Sequence, residues 1–293
     1  MSPAPVLSSY EIWMSAYATG DAPVDARLVM KLFECIGKHY SLGPGMASFG
    51  LEKPRRESDP VAWLGNALER QMSERPNPHR LPRIGMSSVT NRGHSWFLES
   101  STHKQSHHVD RMHDPALFAS AELELAKRND SAIQLLSEAT RLFLSDSRIW
   151  YGFLDIAPQS HIPFSAFYTG GGCWIDNHRW ERLVEQARWH DFAMRDRDRV
   201  RGVFWGNILG PEFADRVRKA GYDKLCDWYD DQYGHRPVTI TDESTGSMAI
   251  LLDDDPVAFA KTRDTGQMDL GSMNRSVKTG ALVWEVFSKA GLL

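Results

Sequence analysis

The chain has 293 residues, 42% of them hydrophobic and 25% charged, with a formal net charge of -4. Ten Trp, thirteen Phe and eight Tyr supply enough apolar area for a sizeable core, which excludes a disordered chain. No stretch approaches the roughly 18 uninterrupted apolar residues of a membrane helix, and Met1–Leu7 lacks the basic start and apolar run of a signal peptide, so a soluble cytoplasmic protein is expected.

In chain order, Tyr10 to Tyr17 interleaves aromatic and polar residues as a strand does. Asp21 and Pro23 mark a helix start, and Leu28, Leu32, Cys35 and Ile36 continue at helical spacing to about Tyr40. Gly43-Pro44-Gly45 ends that helix. The stretch after it reads as irregular, apart from a short helix from Pro60 to about Gln71, and Arg75 to Pro82 reads as a loop. Ile84 to Thr90 and Ser95 to Ser100 read as two strands of a hairpin across Asn91-Arg92-Gly93. Ala121 to Ala126 reads as a half-buried strand. Asp130 caps a helix with Ile133, Leu136, Thr140 and Phe143 on one face, and Ile149 to Ile156 is an apolar strand.

Thr169 to Trp174, with its Gly170-Gly171-Gly172 core, reads as a flexible link, followed by a helix holding Trp180, Leu183, Val184, Ala187 and Trp189. Val200 to Leu209 reads as a strand, and Pro211 opens a helix. Val238 to Thr241 and Met248 to Leu252 flank a hairpin turn at Glu243-Ser244-Thr245-Gly246. The last helix runs from about Arg275 to Lys289 and stops at Gly291. Strands neither alternate strictly with helices nor stand alone. The expectation is α+β, a mostly antiparallel sheet covered by helices. It divides at the glycine link into an N-terminal α+β half, 1–168, and a C-terminal α+β half, 173–293, packed as one compact unit.

No motif supplies a complete catalytic constellation. Gly170 to Gly172 lacks both the Lys-Ser/Thr ending of a P-loop and GxGxxG spacing, and Gly246-Ser247-Met248 is not completed to a nucleophile elbow because Ile stands at 250. Cys35, Cys173 and Cys226, odd in number and far apart, read as reduced, inert thiols. The segment 101–114 carries His103, His107, His108, Asp110, His113 and Asp114. On a helix His103 and His107 would share a face, as metal ligands must, but Lys104 stands where a zinc protease needs Glu. This segment supports a metal-dependent hydrolase using His103, His107, His108 and Asp110 as the alternative reading. Exposed, titrating histidines in a loop are the bland one. Otherwise the chain is read as a non-enzyme that needs no cofactor.

Charge is uneven. From Asp223 to Asp269 eleven acidic residues face Lys224, Arg236, Lys261 and Arg263. Such a region repels nucleic acid and attracts a basic protein, or is simply a solvated acidic face. Asp253-Asp254-Asp255-Pro256 lacks the EF-hand pattern and reads as a turn capping a helix that Pro256 begins. Arg195 to Arg201 alternates signs and reads as a solvated entry to the next strand.

The opening strand and helix, the run Arg201-Gly-Val-Phe-Trp-Gly-Asn-Ile-Leu leading into Pro211, and the closing Ala290-Gly291-Leu292-Leu293 together resemble bacterial immunity proteins of polymorphic-toxin and type VI secretion systems. The immunity protein 52 family, or the related type VI immunity family, is the nearest likeness. The resemblance implies an α+β antitoxin that blocks a cognate toxin sterically, with no catalytic residues of its own. In the first family that toxin is typically a nuclease. The interface expected from the residues is an acidic rim with aromatic anchors: Asp227, Trp228, Tyr229, Asp230, Asp231, Asp253, Asp254 and Asp255.

Overall fold

The computed structural model describes residues 10–19, 22–40, 42–50, 53–74, 84–88, 96–103, 116–124, 129–158, 199–200, 202–234, 236–264 and 275–293. Among these residues ten strands form one sheet: β1 (Tyr10–Thr19), β2 (Gly45–Phe49), β3 (Arg55–Glu57), β4 (Ile84–Ser88), β5 (Trp96–His103), β6 (Ala116–Glu124), β7 (Ile149–Pro158), β8 (Gly206–Leu209), β9 (Val238–Thr241) and β10 (Met248–Leu251). The helices among the described residues are α1 (Ala22–His39), α2 (Pro60–Glu74), α3 (Asn129–Leu144), α4 (Pro211–Lys219), α5 (Tyr222–Tyr233), α6 (Pro256–Asp264) and α7 (Arg275–Lys289). The sheet order is β3-β2-β4-β5-β6-β1-β7-β8-β10-β9 and every strand pair is antiparallel. The α+β expectation therefore holds. The sheet also runs unbroken past the glycine link, because β7 lies before it, β8 after it, and the two are paired.

Burial falls from the middle of the sheet to its rims. Residues 12–18 of β1 and 151–156 of β7 are all buried, on both faces, as are β8 and β10. An antiparallel strand buried on both faces needs cover on both sides. The edge strands differ: Arg55 and Arg56 of β3 and Val238, Thr239 and Thr241 of β9 are exposed. α1 packs on α2 and α3, and α3 reaches β7, β8, β10 and α6. Between α1 and α3, Lys38 Nζ donates to Glu138 Oε2 at 2.8 Å and His39 Nε2 lies 2.5 Å from the same atom. That contact holds the Glu138 carboxyl below its usual pKa, the Lys38 hydrogen bond contributing most.

Several elements depart from their sequence-based expectation. β2 and β3 occupy the stretch read as irregular; they are five and three residues long, too short for a periodicity to show. α3 begins at Asn129, and its buried stripe is Ala132, Leu135, Leu136, Ala139, Thr140 and Phe143, while Ile133 is 37% exposed. The expected strand Val200 to Leu209 is ladder-paired only from Gly206. The reason is Asn207, fully buried, whose Oδ1 accepts the Phe204 N–H at 3.0 Å and whose Nδ2 donates to the Phe204 carbonyl at 2.8 Å. The side chain occupies the Phe204 backbone groups that a strand would spend on a neighbour, and turns residues 202–205 back onto the sheet. There Phe204 stacks on Phe153 with centroids 4.2 Å apart. The Asn91–Gly93 turn, the 75–82 loop, the glycine link, Cys173 and the helix expected around Trp180 to Trp189 lie outside the described residues.

Gly210 closes β8. Its N–H donates to the Trp150 carbonyl at 3.0 Å, and a Cβ there would lie 2.4 Å from the Ile149 carbonyl oxygen. No side chain fits without moving the β7 backbone. Gly37, exposed in α1, has nothing within 4 Å of such an atom. Thermal or denaturant unfolding should show Gly210→Ala destabilised by about 3 kcal/mol, and Gly37→Ala unchanged or stabilised by up to about 1 kcal/mol.

Candidate functional site

The expected interface falls in two places. The first is α5, an element that the chain-order reading passed over. Its signal is present: Tyr222, Leu225, Cys226 and Tyr229 recur at i, i+3, i+4 and i+7 and are buried or half-buried. Gly221 (φ 89°) precedes the helix and Gly234 (φ 68°) ends it, the Gly234 N–H donating to the Asp230 carbonyl. Asp223, Lys224, Asp227, Asp230 and Asp231 lie on the exposed face.

Two fixed contacts hold this helix. The Tyr222 hydroxyl lies 2.8 Å from Thr239 Oγ1 on β9, and the Tyr229 hydroxyl donates to the Lys278 carbonyl of α7 at 2.7 Å. Burial raises the pKa of both phenols above the ordinary tyrosine value. α7 is itself tied down: Arg216 of α4 donates through Nη2 to the Ala290 and Gly291 carbonyls at 3.0 and 2.7 Å, at the end of α7 where carbonyls lack helical partners. On that footing α5 presents Trp228, 52% exposed, and Tyr233, 45% exposed. Their rings, with Tyr229, form one cluster: Trp228–Tyr233 6.4 Å at 88°, Tyr229–Tyr233 4.6 Å at 52°. The Lys278 ammonium sits 4.5 Å from the centre of the Tyr233 ring. Large exposed aromatics on a rigid helix, ringed by carboxylates, have the composition of a protein-binding anchor.

The second place is the turn after β10. Asp255 Oδ1 accepts the N–H groups of Val257 and Ala258 at 2.8 and 3.0 Å and so caps α6. Asp253 Oδ1 accepts the Asp255 N–H, and its carbonyl accepts Trp205 Nε1 at 3.0 Å. Both residues therefore have a folding role, as the capping reading anticipated, and Asp254 is the exposed member. Val238 pairs with Leu251, so the chain leaving α5 and the chain entering this turn meet at the same end of the β9–β10 pair.

Between α5 and β9 lies a groove of about 550 Å3 lined by Asp223, Cys226, Asp227, Arg236, Val238 and Thr239 among others. Arg236 Nη1 stands 3.4 Å from Asp227 Oδ1, an exposed pair worth little to stability. The Cys226 thiol is buried at the base, and burial lifts its pKa from 9.0 to about 11. Cys35 in α1 is lifted to the same value, again mainly by burial. Neither thiol is a nucleophile at neutral pH.

Of the alternative metal ligands, His103 ends β5 opposite Ala116, and His107, His108 and Asp110 lie outside the described residues. Among the described residues no group of three or more His, Cys, Asp or Glu is arranged to hold a metal ion, and no helix is long and apolar enough to cross a membrane.

No protein-family description and no curated protein matches the sequence. A solved structure does share the fold: the Pseudomonas aeruginosa T6SS protein PA0821, with a TM-score of 0.60 at 10% identity, over 96% of this chain and 73% of that one. At that identity the likeness is one of architecture.

The buried thiols set an alkaline limit. Below pH 9 they are neutral in both folded and unfolded chains. Above it the unfolded chain ionises first, while the folded thiols hold their protons to about pH 11. The unfolding midpoint should therefore fall between pH 9 and 11, less steeply in Cys226→Ala than in the native chain.

Proposed function

We propose that this chain is an immunity protein of a type VI secretion or polymorphic-toxin system, an antitoxin that binds and blocks a cognate toxin without catalysis of its own. The observation that carries the reading is the Trp228–Tyr233 aromatic pair held proud of an acidic helix face. The fold shared with a T6SS protein supports it. Carboxylates at 227, 230, 231 and 254 suit a toxin whose working surface is basic, as that of a nuclease must be to hold phosphates. Trp228 and Tyr233 would supply the desolvated contact, and the carboxylates the encounter rate and the charge match. The inhibition is steric: a folded body seated over the toxin's active site excludes its substrate. The producing cell's cytoplasm is where such a partner would be met.

The test is co-purification with the toxin-like product of an adjacent reading frame, followed by titration. Replacing Asp230, Asp231 and Asp254 together by Lys should weaken binding by at least about 100-fold and flatten its dependence on salt between about 50 and 500 mM. Trp228→Ala should cost about 2 kcal/mol of binding with little change in the unfolding midpoint. Affinity and salt dependence unmoved by the charge reversal would discard this surface. Failure of the chain to protect cells producing that toxin would discard the immunity reading.

A further inference from the structure

Among the described residues β9 ends the sheet, and the register fixes its ladder parity. The Asp242 N–H donates to the Ser247 carbonyl at 3.1 Å, so the pair that closes the hairpin is a hydrogen-bonded one. Antiparallel pairs alternate, and the register runs Thr241↔Met248, Ile240↔Ala249, Thr239↔Ile250, Val238↔Leu251. Ile240 and Val238 therefore turn their backbone groups toward β10. Thr239 and Thr241 turn theirs outward, and both residues are exposed. The open edge thus offers two N–H and two C=O groups, spaced about 7 Å apart along the strand, with the α5 groove running beside it.

From this geometry we infer that β9 and the α5 groove accept an extended, lysine- or arginine-bearing segment of another protein as an added strand. The backbone groups of Thr239 and Thr241 pair with it, and Asp223 and Asp227 face its cationic side chains. The occupant follows from charge. Residues 222–243 carry six carboxylates against Lys224 and Arg236. An acidic strand is repelled there, and self-pairing of two copies through β9 would set two like-charged faces together. A helix and an edge strand flanking a groove is a recurring way to hold an extended peptide, main-chain bonds giving affinity and side-chain contacts giving selectivity. The inference rests on the reading of a basic protein partner and names how that partner is held.

The probe is a fluorescent ten-residue peptide of alternating Lys and Val, titrated against the full chain by anisotropy. Two companions keep its length: one N-methylated at alternate amides along one edge, the other with Glu in place of Lys. Both should bind at least about ten-fold more weakly, as should the parent peptide to Thr241→Pro, which loses only an outward-facing N–H. Circular dichroism checks that this variant folds; if it does not, the methylated peptide on the native chain decides alone. Equal binding of the methylated and parent peptides overturns strand addition and leaves only electrostatic adhesion. A concentration-dependent dimer abolished by Thr241→Pro overturns the assigned occupant. A toxin complex that survives Thr241→Pro but not the charge reversal at 230, 231 and 254 overturns this inference and leaves the immunity reading intact. Peptide binding without any toxin complex does the reverse.

Discussion

The antiparallel pairing of β1 with β7 is the constraint on which the rest of the molecule depends. It joins a six-stranded set, β3 to β1, to a four-stranded set, β7 to β9, and among the described residues no other strand pair connects the two. Its core residues are buried on both faces: Ile12, Met14 and Ala16 to one side, Trp13, Ser15 and Tyr17 to the other. Tyr17 stacks on its cross-strand partner Tyr151 at 5.8 Å, which fixes the register in side chains as well as backbone. A slip of one residue would carry every aromatic on these strands to the opposite face.

From that seam outward, the C-terminal part is ordered by a succession of single residues, three through polar side chains and one, Gly210, through its backbone. Asn207 folds residues 202–205 back and ends the ladder-paired part of β8; Gly210 lets the β8 end meet Trp150; Arg216 locks α4 to the end of α7; Tyr229 hangs α5 on α7. Each is a hydrogen bond from a buried or half-buried side chain or close-approach backbone to a main-chain carbonyl or amide. Such bonds contribute modestly when made but leave a desolvated group behind when lost. Their product is a rigid platform carrying an exposed aromatic pair. That combination costs little ordering entropy when a partner arrives.

Much of this was legible in the chain. Interleaved aromatic and polar residues point to β1, an apolar run to β7, Pro211 to the start of α4, Glu243-Ser244-Thr245-Gly246 to the β9–β10 turn, and the Asp253-Asp254-Asp255 cluster before Pro256 to a helix cap. The failures have physical causes. β2 and β3 are too short to carry a pattern. Of the expected α3 face, Leu136, Thr140 and Phe143 are buried and Ile133 alone is not; Ala132 takes its place, and with Ala139 it looks neutral in a count of large apolar side chains. α5 has helical spacing, but its run of carboxylates among few large apolar residues masks the apolar stripe. Trp228 and the neighbouring aspartates stand out by residue type alone, without the helix that groups them. Their common face, and the exposure of Tyr233 beside them, are products of the fold. So is the edge position of β9, which depends on the order of all ten strands and has no local signature in Val238 to Thr241.

The hairpin that carries that edge differs from the seam in the length of chain it closes. β1 must find β7 across more than a hundred residues, whereas β9 and β10 are joined by a six-residue connection, 242–247. A locally closed edge strand, paired on one side only, can open and reform while the seam stays shut, because little non-local loop entropy is at stake. Amide exchange at Val238 and Ile240, whose N–H groups face β10, would then report a small opening free energy, far below that of 151–156. The protein would present a soft lip on a hard body, free to adjust to an incoming chain without loosening the core that supports it.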